Sequence, residues 1–299
     1  MLKRKTLVPL TIFALVLSGC TLFGKGKPES SQGKGGAPEP VNEIPVKERP
    51  YATIIPRADG REVSISVTTL QGASQVEYEL EYQAGTLLQG AFGKIDFSKE
   101  QAPVVRQILL GSCSAGGKCS YHENVNGGTL LLRYKNGKTT ALKGEWNFQI
   151  AGKQKGHFNS RDAKFNFDTG DKDLSAQTFV IVAQTMGLPG PIDGEVVGGP
   201  YAVFLPSGVS LSKGKQYTMS LRISGDQKAT LFAWTEGRWA PLKTGQEGKT
   251  LTAQVNTAST VVAISLPSTI SVRGKRLGAL SGSPQLSFDR LRMVREVEP

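Results

Sequence analysis

The sequence predicts an all-β protein built as two tandem antiparallel β-sandwich domains, and three observations carry that expectation. From residue 51 onward apolar and polar residues alternate with a period of two, as they do in a strand with one face on a core and one in water. Short turn signals rich in Gly, Asn and Asp interrupt the alternation at regular intervals. Few stretches show the three-and-four spacing of an amphipathic helix, and 299 residues suffice for two domains of ordinary size.

The first element precedes the strands. Lys3, Arg4 and Lys5 lead into an uncharged apolar run from Leu7 to Leu17. That run is too short for a bilayer-spanning helix, which needs roughly 20 apolar residues. Small Ser18 and Gly19 then stand directly before Cys20. The segment Leu17–Cys20 resembles the lipobox of a bacterial lipoprotein signal peptide. The resemblance implies cleavage after Gly19, a diacylglyceryl group on the sulfur of Cys20, and a chain held to a membrane of the cell envelope. Two or more acyl chains make such an anchor stable. Thr21 stands where Gram-negative relatives retained in the inner membrane carry Asp, which points to the outer membrane or cell surface.

Residues 20–50 are rich in Gly, Pro, Ser and Lys and are expected to form a disordered tether. Thirty such residues reach about 30 Å on average and about 100 Å when drawn out.

The first sandwich is expected over residues 51–170. Val63, Ile65 and Val67 alternate with polar residues, and Val76–Tyr82 alternates apolar with Glu77, Glu79 and Glu81. Leu130, Leu132 and Tyr134 repeat the pattern, as do Trp146, Phe148 and Ile150. Turns are expected at Asp59–Gly60, Asn126–Gly128, Asn136–Gly137 and Gly152–Lys153, the third of them a strong hairpin cue. A polar stretch, Asp168–Asp173, separates this block from a second sandwich over 175–270. Its strands are read at Phe179–Val182, Tyr201–Leu205, Tyr217–Ile223, Thr230–Trp234, Leu251–Val255 and Val261–Leu266. Residues 271–299 form a basic tail in which Leu286–Phe288 reads as a strand and Leu291, Val294 and Val297 have helical spacing.

Both blocks resemble bacterial extracellular β-sandwich modules of immunoglobulin or fibronectin type III character. The first does so through its strand spacing, the Val76–Tyr82 run and Trp146. The second does so through Leu231–Trp234, Trp239–Leu242 and Ser259–Ile264. The likeness is architectural and transfers no functional residue. Cys113 and Cys119 are too close in sequence to be the inter-sheet pair of an antibody domain.

The formal charge of +11 falls to +8 once Lys3, Arg4 and Lys5 leave with the signal. The excess is thinly spread, and no basic stripe with interleaved aromatics marks a nucleic-acid surface. Export also governs the remaining cysteines. Cys113 and Cys119, six positions apart across a glycine-containing loop, are expected to form a disulfide outside the cytoplasm.

Other chemistry finds less support. Gly111–Gly116 has the outline of a nucleophile elbow around Cys113, but glycines follow where a helix is required. Cys113, Cys119, His122 and Glu123 lack the paired spacing of a zinc motif, and oxidation removes both sulfurs. Asp168, Asp171 and Asp173 lack the full spaced set of a calcium loop and suit a polar linker. Trp239 and Tyr201, with Trp234, are candidate aromatics for a ligand or sugar ring. The expected function is therefore non-catalytic: an anchored envelope lipoprotein serving in surface adhesion, scaffolding or binding of a protein or carbohydrate ligand, with no cofactor or metal and no nucleic acid. The alternative is a secreted hydrolase acting on envelope polymer.

Overall fold

A computed structural model describes residues 39–265 except 69, 71, 171 and 172. The signal segment, Cys20, the tether up to residue 38, Asp171 and the tail 271–299 lie outside the described residues.

The alternating runs do form strands, and the chain is all-β and antiparallel. In the first block the strands are β1 (Ala52–Pro56), β2 (Glu62–Val67), β3 (Gln75–Ala84), β4 (Leu87–Asp96) and β5 (Val104–Leu109). A small hairpin, β6 (Gly111–Cys113) and β7 (Cys119–Tyr121), precedes the long β8 (Val125–Asn136) and β9 (Lys138–Ile150). One helical turn, α1 (Ala151–Gln154), leads to β10 (His157–Asn159) and β11 (Phe165–Asp168). Then follow β12 (Phe179–Gln184), β13 (Glu195–Phe204), β14 (Tyr217–Arg222) and β15 (Thr230–Thr235). The last are β16 (Arg238–Pro241), β17 (Thr244–Glu247), β18 (Thr250–Val255) and β19 (Thr260–Ser265).

The strands assemble around one sheet of nine, in the order β16-β15-β19-β13-β12-β9-β8-β3-β4. The three-stranded sheet β1-β2-β5 packs on one half of it. The five-stranded sheet β10-β11-β14-β18-β17 packs on the other half. Strand β12 shows how this works. Ile181 and Ala183 point into the first core, with Leu80, Leu132 and Trp146. Val180 and Val182 point into the second, with Phe165, Tyr217 and Leu231. Since side chains alternate across a strand, the two cores lie on opposite faces of the shared sheet. The polar Asp168–Asp173 stretch is therefore not where the packing changes: β11, before it, pairs with β14 in the second half.

Two local features depart from the sequence expectation. Asn126–Gly128 is no turn, for these residues lie inside β8. A Cβ on Gly128 would come 2.0 Å from the Glu81 carbonyl oxygen, so the glycine lets neighbouring backbones close in where the register of β3 and β8 shifts. Residues 41–50, read as part of the tether, instead belong to the fold, with Val41 and Asn42 lying against β9. Strand β12 pairs with β9 from Ile150 back to Trp146, and beyond that other groups take over its edge. The Gln184 side chain accepts from Glu145 N, and Asn42 makes paired amide bonds of 2.8 and 3.0 Å with Lys143. Val41 then bridges to Ala141 in parallel sense. Arg49 ties this strap to itself through the carbonyls of Ile44 and Asn42. Composition conceals this, because an unpaired strand edge is satisfied here by two amide side chains and bare backbone.

Because β12 belongs to both cores, Val182→Ala is expected to lower amide hydrogen-exchange protection in β3 as well as in β18, by about 2 kcal/mol in each. Protection lost in β18 alone would show that the halves unfold independently.

Candidate functional site

The best-built concavity is a cleft of about 600 Å³ at the far end of β9, within the size range of ligand sites. Its floor is Phe148 stacked on Phe179, ring centroids 5.1 Å apart. One wall is the β1–β2 turn. There Arg57 forks onto Asp59 with two bonds of 2.8 Å, and Asp59 also accepts from Arg61 N. The Arg57 bonds, foremost, hold the Asp59 carboxyl down to about 2, so it is charged at neutral pH. Gly60 has φ +69°, and a Cβ there would sit 2.2 Å from Phe179 Cζ, so turn and floor both demand glycine.

A second wall is Tyr121, the last residue of the β6–β7 hairpin, and residues 122–125 after it. Cys113 and Cys119 face each other in register and are joined by a disulfide with Sγ–Sγ 1.98 Å. The stem is closed by His122 N donating to Leu110 O, and it is bound to the segment leading into β2 by Leu110 N donating to Arg61 O. This places the Arg61 guanidinium 4.4 Å from the Tyr121 ring centroid, a cation–π contact at the rim. Tyr121 is 37% exposed, enough to meet a ligand. Behind it His122 Nδ1 shares a 3.0 Å hydrogen bond with Tyr82 Oη, whose phenol is pushed up by burial. Glu123 and Lys153 complete a lining with both signs of charge around an aromatic floor.

A second hollow of about 460 Å³ lies over the outer face of the five-stranded sheet, lined by His157, Asn159, Asn166, Asp168, Thr218 and Ser220. It is polar but for Phe158 and Phe167, whose side chains are buried in the second core. The β9 cleft is the stronger candidate, since it pairs an aromatic floor with charges held by the β1–β2 turn and a ring at its rim.

The aromatics singled out in the sequence do not come together. Tyr201 is buried in the second core, stacked on Phe165 at 5.5 Å with its hydroxyl donating to Asp162 at 2.6 Å. Burial and the Asp162 carboxylate push its phenol well above the usual range. Tyr201 therefore offers no ligand platform: the alternation that places Val203 inside places it inside too. Trp239 is half-buried edge-on to Trp234, 5.3 Å between rings, and its Nε1 donates to the Gly190 carbonyl. Trp234 turns away from the second core that Leu231 and Ala233 enter, so the indoles and Tyr201 belong to opposite faces of the sheet.

The Cys113 sulfur is held in the disulfide and is not a free nucleophile in this arrangement. Among the described residues no three His, Cys, Asp or Glu side chains converge as metal ligands. Asp168 pairs with His157, whereas Asp173 is buried and accepts from Tyr217 Oη at 2.6 Å, Lys215 Nζ at 2.9 Å and Ser212 N at 3.2 Å. Burial alone would raise the Asp173 carboxyl, but these donors outweigh it and hold it well below the usual carboxylate range. Sequence reasoning had no reason to select Arg61 or Tyr121, although an aromatic and a histidine placed directly after a short disulfide loop were a usable signal.

Comparison of the chain with protein-family models, curated proteins and solved structures gives no match. What fold and site define is an all-β sandwich protein with a disulfide-braced cleft.

Two outcomes are expected. Replacing both Cys113 and Cys119 by Ala should cost about 2 kcal/mol, the closure entropy of a small loop, measured by urea unfolding. Asp173→Asn should cost about 2–3 kcal/mol, since Tyr217, Lys215 and Ser212 lose a charged acceptor. The Asp173 carboxyl is depressed in the folded state, so its contribution is complete above the unfolded value near 4 and is lost as pH falls below it. The variant's stability should accordingly fall less steeply than wild type between about pH 4 and pH 2, and parallel acid profiles would refute that role.

Proposed function

We propose that this chain is a non-catalytic bacterial envelope lipoprotein, anchored through lipid on Cys20, that displays its β-sandwich fold for surface binding. The observation that carries the anchor is the ordered series of Lys3–Lys5, the uncharged Leu7–Leu17 run and the Leu17–Cys20 box. Lipid fixes location, the glycine- and proline-rich segment sets reach, and a rigid fold presents the contact surface. The β9 cleft supports the binding half of the reading. It joins an aromatic floor to a cation–π pair at the rim, a combination suited to a protein loop or a carbohydrate.

Intact-mass analysis of natively expressed protein, with and without reduction and alkylation, tests the anchor. The expected result is loss of residues 1–19, a lipid mass on Cys20, and alkylation of Cys113 and Cys119 only after reduction. An unmodified Cys20 on the mature chain overturns it. For the cleft, Tyr121→Ala and Arg61→Ala are each expected to weaken retention on isolated envelope material about tenfold, the scale of an aromatic or arginine anchor. Unchanged retention in both would move recognition elsewhere.

A further inference from the structure

A sheet ends in strands whose outer backbone groups are unpaired, and proteins commonly shorten, charge or cover such edges. Most edges here are guarded. Strand β10 has three residues, β16 and β17 have four each, and β16 ends in Pro241. Strand β1 is covered at its start, where Ala52 N donates to the Thr185 carbonyl, and β5 carries the Arg106–Glu100 ion pair. Strand β4 is different. It runs for ten residues, no strand among the described residues pairs with its outer edge, and Leu87–Gly93 contains no charge. Phe92 is 87% exposed, Leu88 66% and Leu87 62%.

We infer that the β4 edge is an interface for a second copy of this chain, the two β4 strands pairing antiparallel about a two-fold axis at Gly90. The argument is self-complementarity. Gln83, Glu79 and Glu77 of β3 stand opposite Leu88, Phe92 and Lys94, so these three β4 residues share the outer face. An axis at Gly90 sets Leu88 of each copy against Phe92 of the other, and Leu87 against Gly93. Moving the axis by one residue toward either end leaves Phe92 opposite Gly90 and Leu88 opposite Lys94, or Phe92 opposite Thr86 and Leu88 opposite Gly90. Only the Gly90 register buries both large apolar residues against each other. A Cβ at Gly90 meets no atom nearer than 3.5 Å, so the axis position is open.

Size agrees with an exchanging dimer. The three exposed side chains present roughly 400 Å² per copy, taking an aromatic at about 200 Å². Two copies with their paired backbones then bury about 1,200 Å², the low end for a specific interface. An isologous contact of this kind closes on itself and leaves no free β4 edge to recruit further copies.

Sedimentation velocity of the full chain in detergent, up to about 100 µM, tests this. The expected result is a concentration-dependent monomer–dimer equilibrium that Phe92→Lys weakens at least tenfold while leaving the circular dichroism spectrum and thermal unfolding unchanged. Gly90→Cys should give a cross-linked dimer on mild oxidation beyond that of the unsubstituted chain, and Lys94→Cys, which faces no copy of itself, should not. A chain that stays monomeric, whether because its own tail or an extended peptide covers β4, overturns the proposal, as does a dimer indifferent to Phe92→Lys.

Discussion

The structure rests on one constraint: both faces of strand β12 must be buried. Val180 and Val182 enter one core while Ile181 and Ala183 enter the other, so four consecutive apolar residues serve two hydrophobic layers. A small sheet on each face satisfies that demand, one before and one after β12 along the nine-stranded sheet. The rest follows from this offset. Strand β9, the longest among the described residues, extends past the end of β12 and leaves part of its edge for the strap. Its other end, beyond Trp146, forms the floor of the cleft together with Phe179 from β12 itself.

Rigidity at the cleft comes from different sources on its two walls. The β1–β2 turn is set by a charged fork and a glycine whose missing side chain makes room for Phe179. The hairpin wall is held by a covalent bond, by a backbone hydrogen bond across its own stem and by another to Arg61. Both walls are tied to the first core, through Gly60 against Phe179 and through His122 on the buried Tyr82, which suits a surface presenting fixed groups at little ordering cost. The ion pairs Glu79–Arg133 and Glu77–Lys135, on the outer face of β3 and β8, are half-exposed and add little to stability.

Much of the strand content was legible in the sequence because one-sided burial writes itself as alternation. Val76–Tyr82 and Leu130–Tyr134 appear as read, and so do the Asn136–Gly137 hairpin and the Cys113–Cys119 pair. The shared sheet was not read, although Phe179–Ala183 carried its trace: an unbroken apolar run signals a strand buried on both faces. Tyr201 misled because a tyrosine named by type looks like a contact residue, whereas its hydroxyl meets Asp162 thirty-nine positions away. The cleft was illegible for a related reason. It joins residues from Asp59 to Phe179, and nothing local announces that these segments meet.

The strap gives the molecule a head and a foot. It runs parallel to β9 from the Val41–Ala141 bridge, so everything preceding residue 41 enters the fold beside the first half of that strand. Phe148 and the cleft lie toward the opposite end, roughly 24 Å further along at the rise of an extended strand. The proposed anchor on Cys20 would pull at the foot, whereas the cleft occupies the head. Load from the leash would pass into the edge of β9 through Asn42 and Val41, leaving the braced walls of the cleft outside its path.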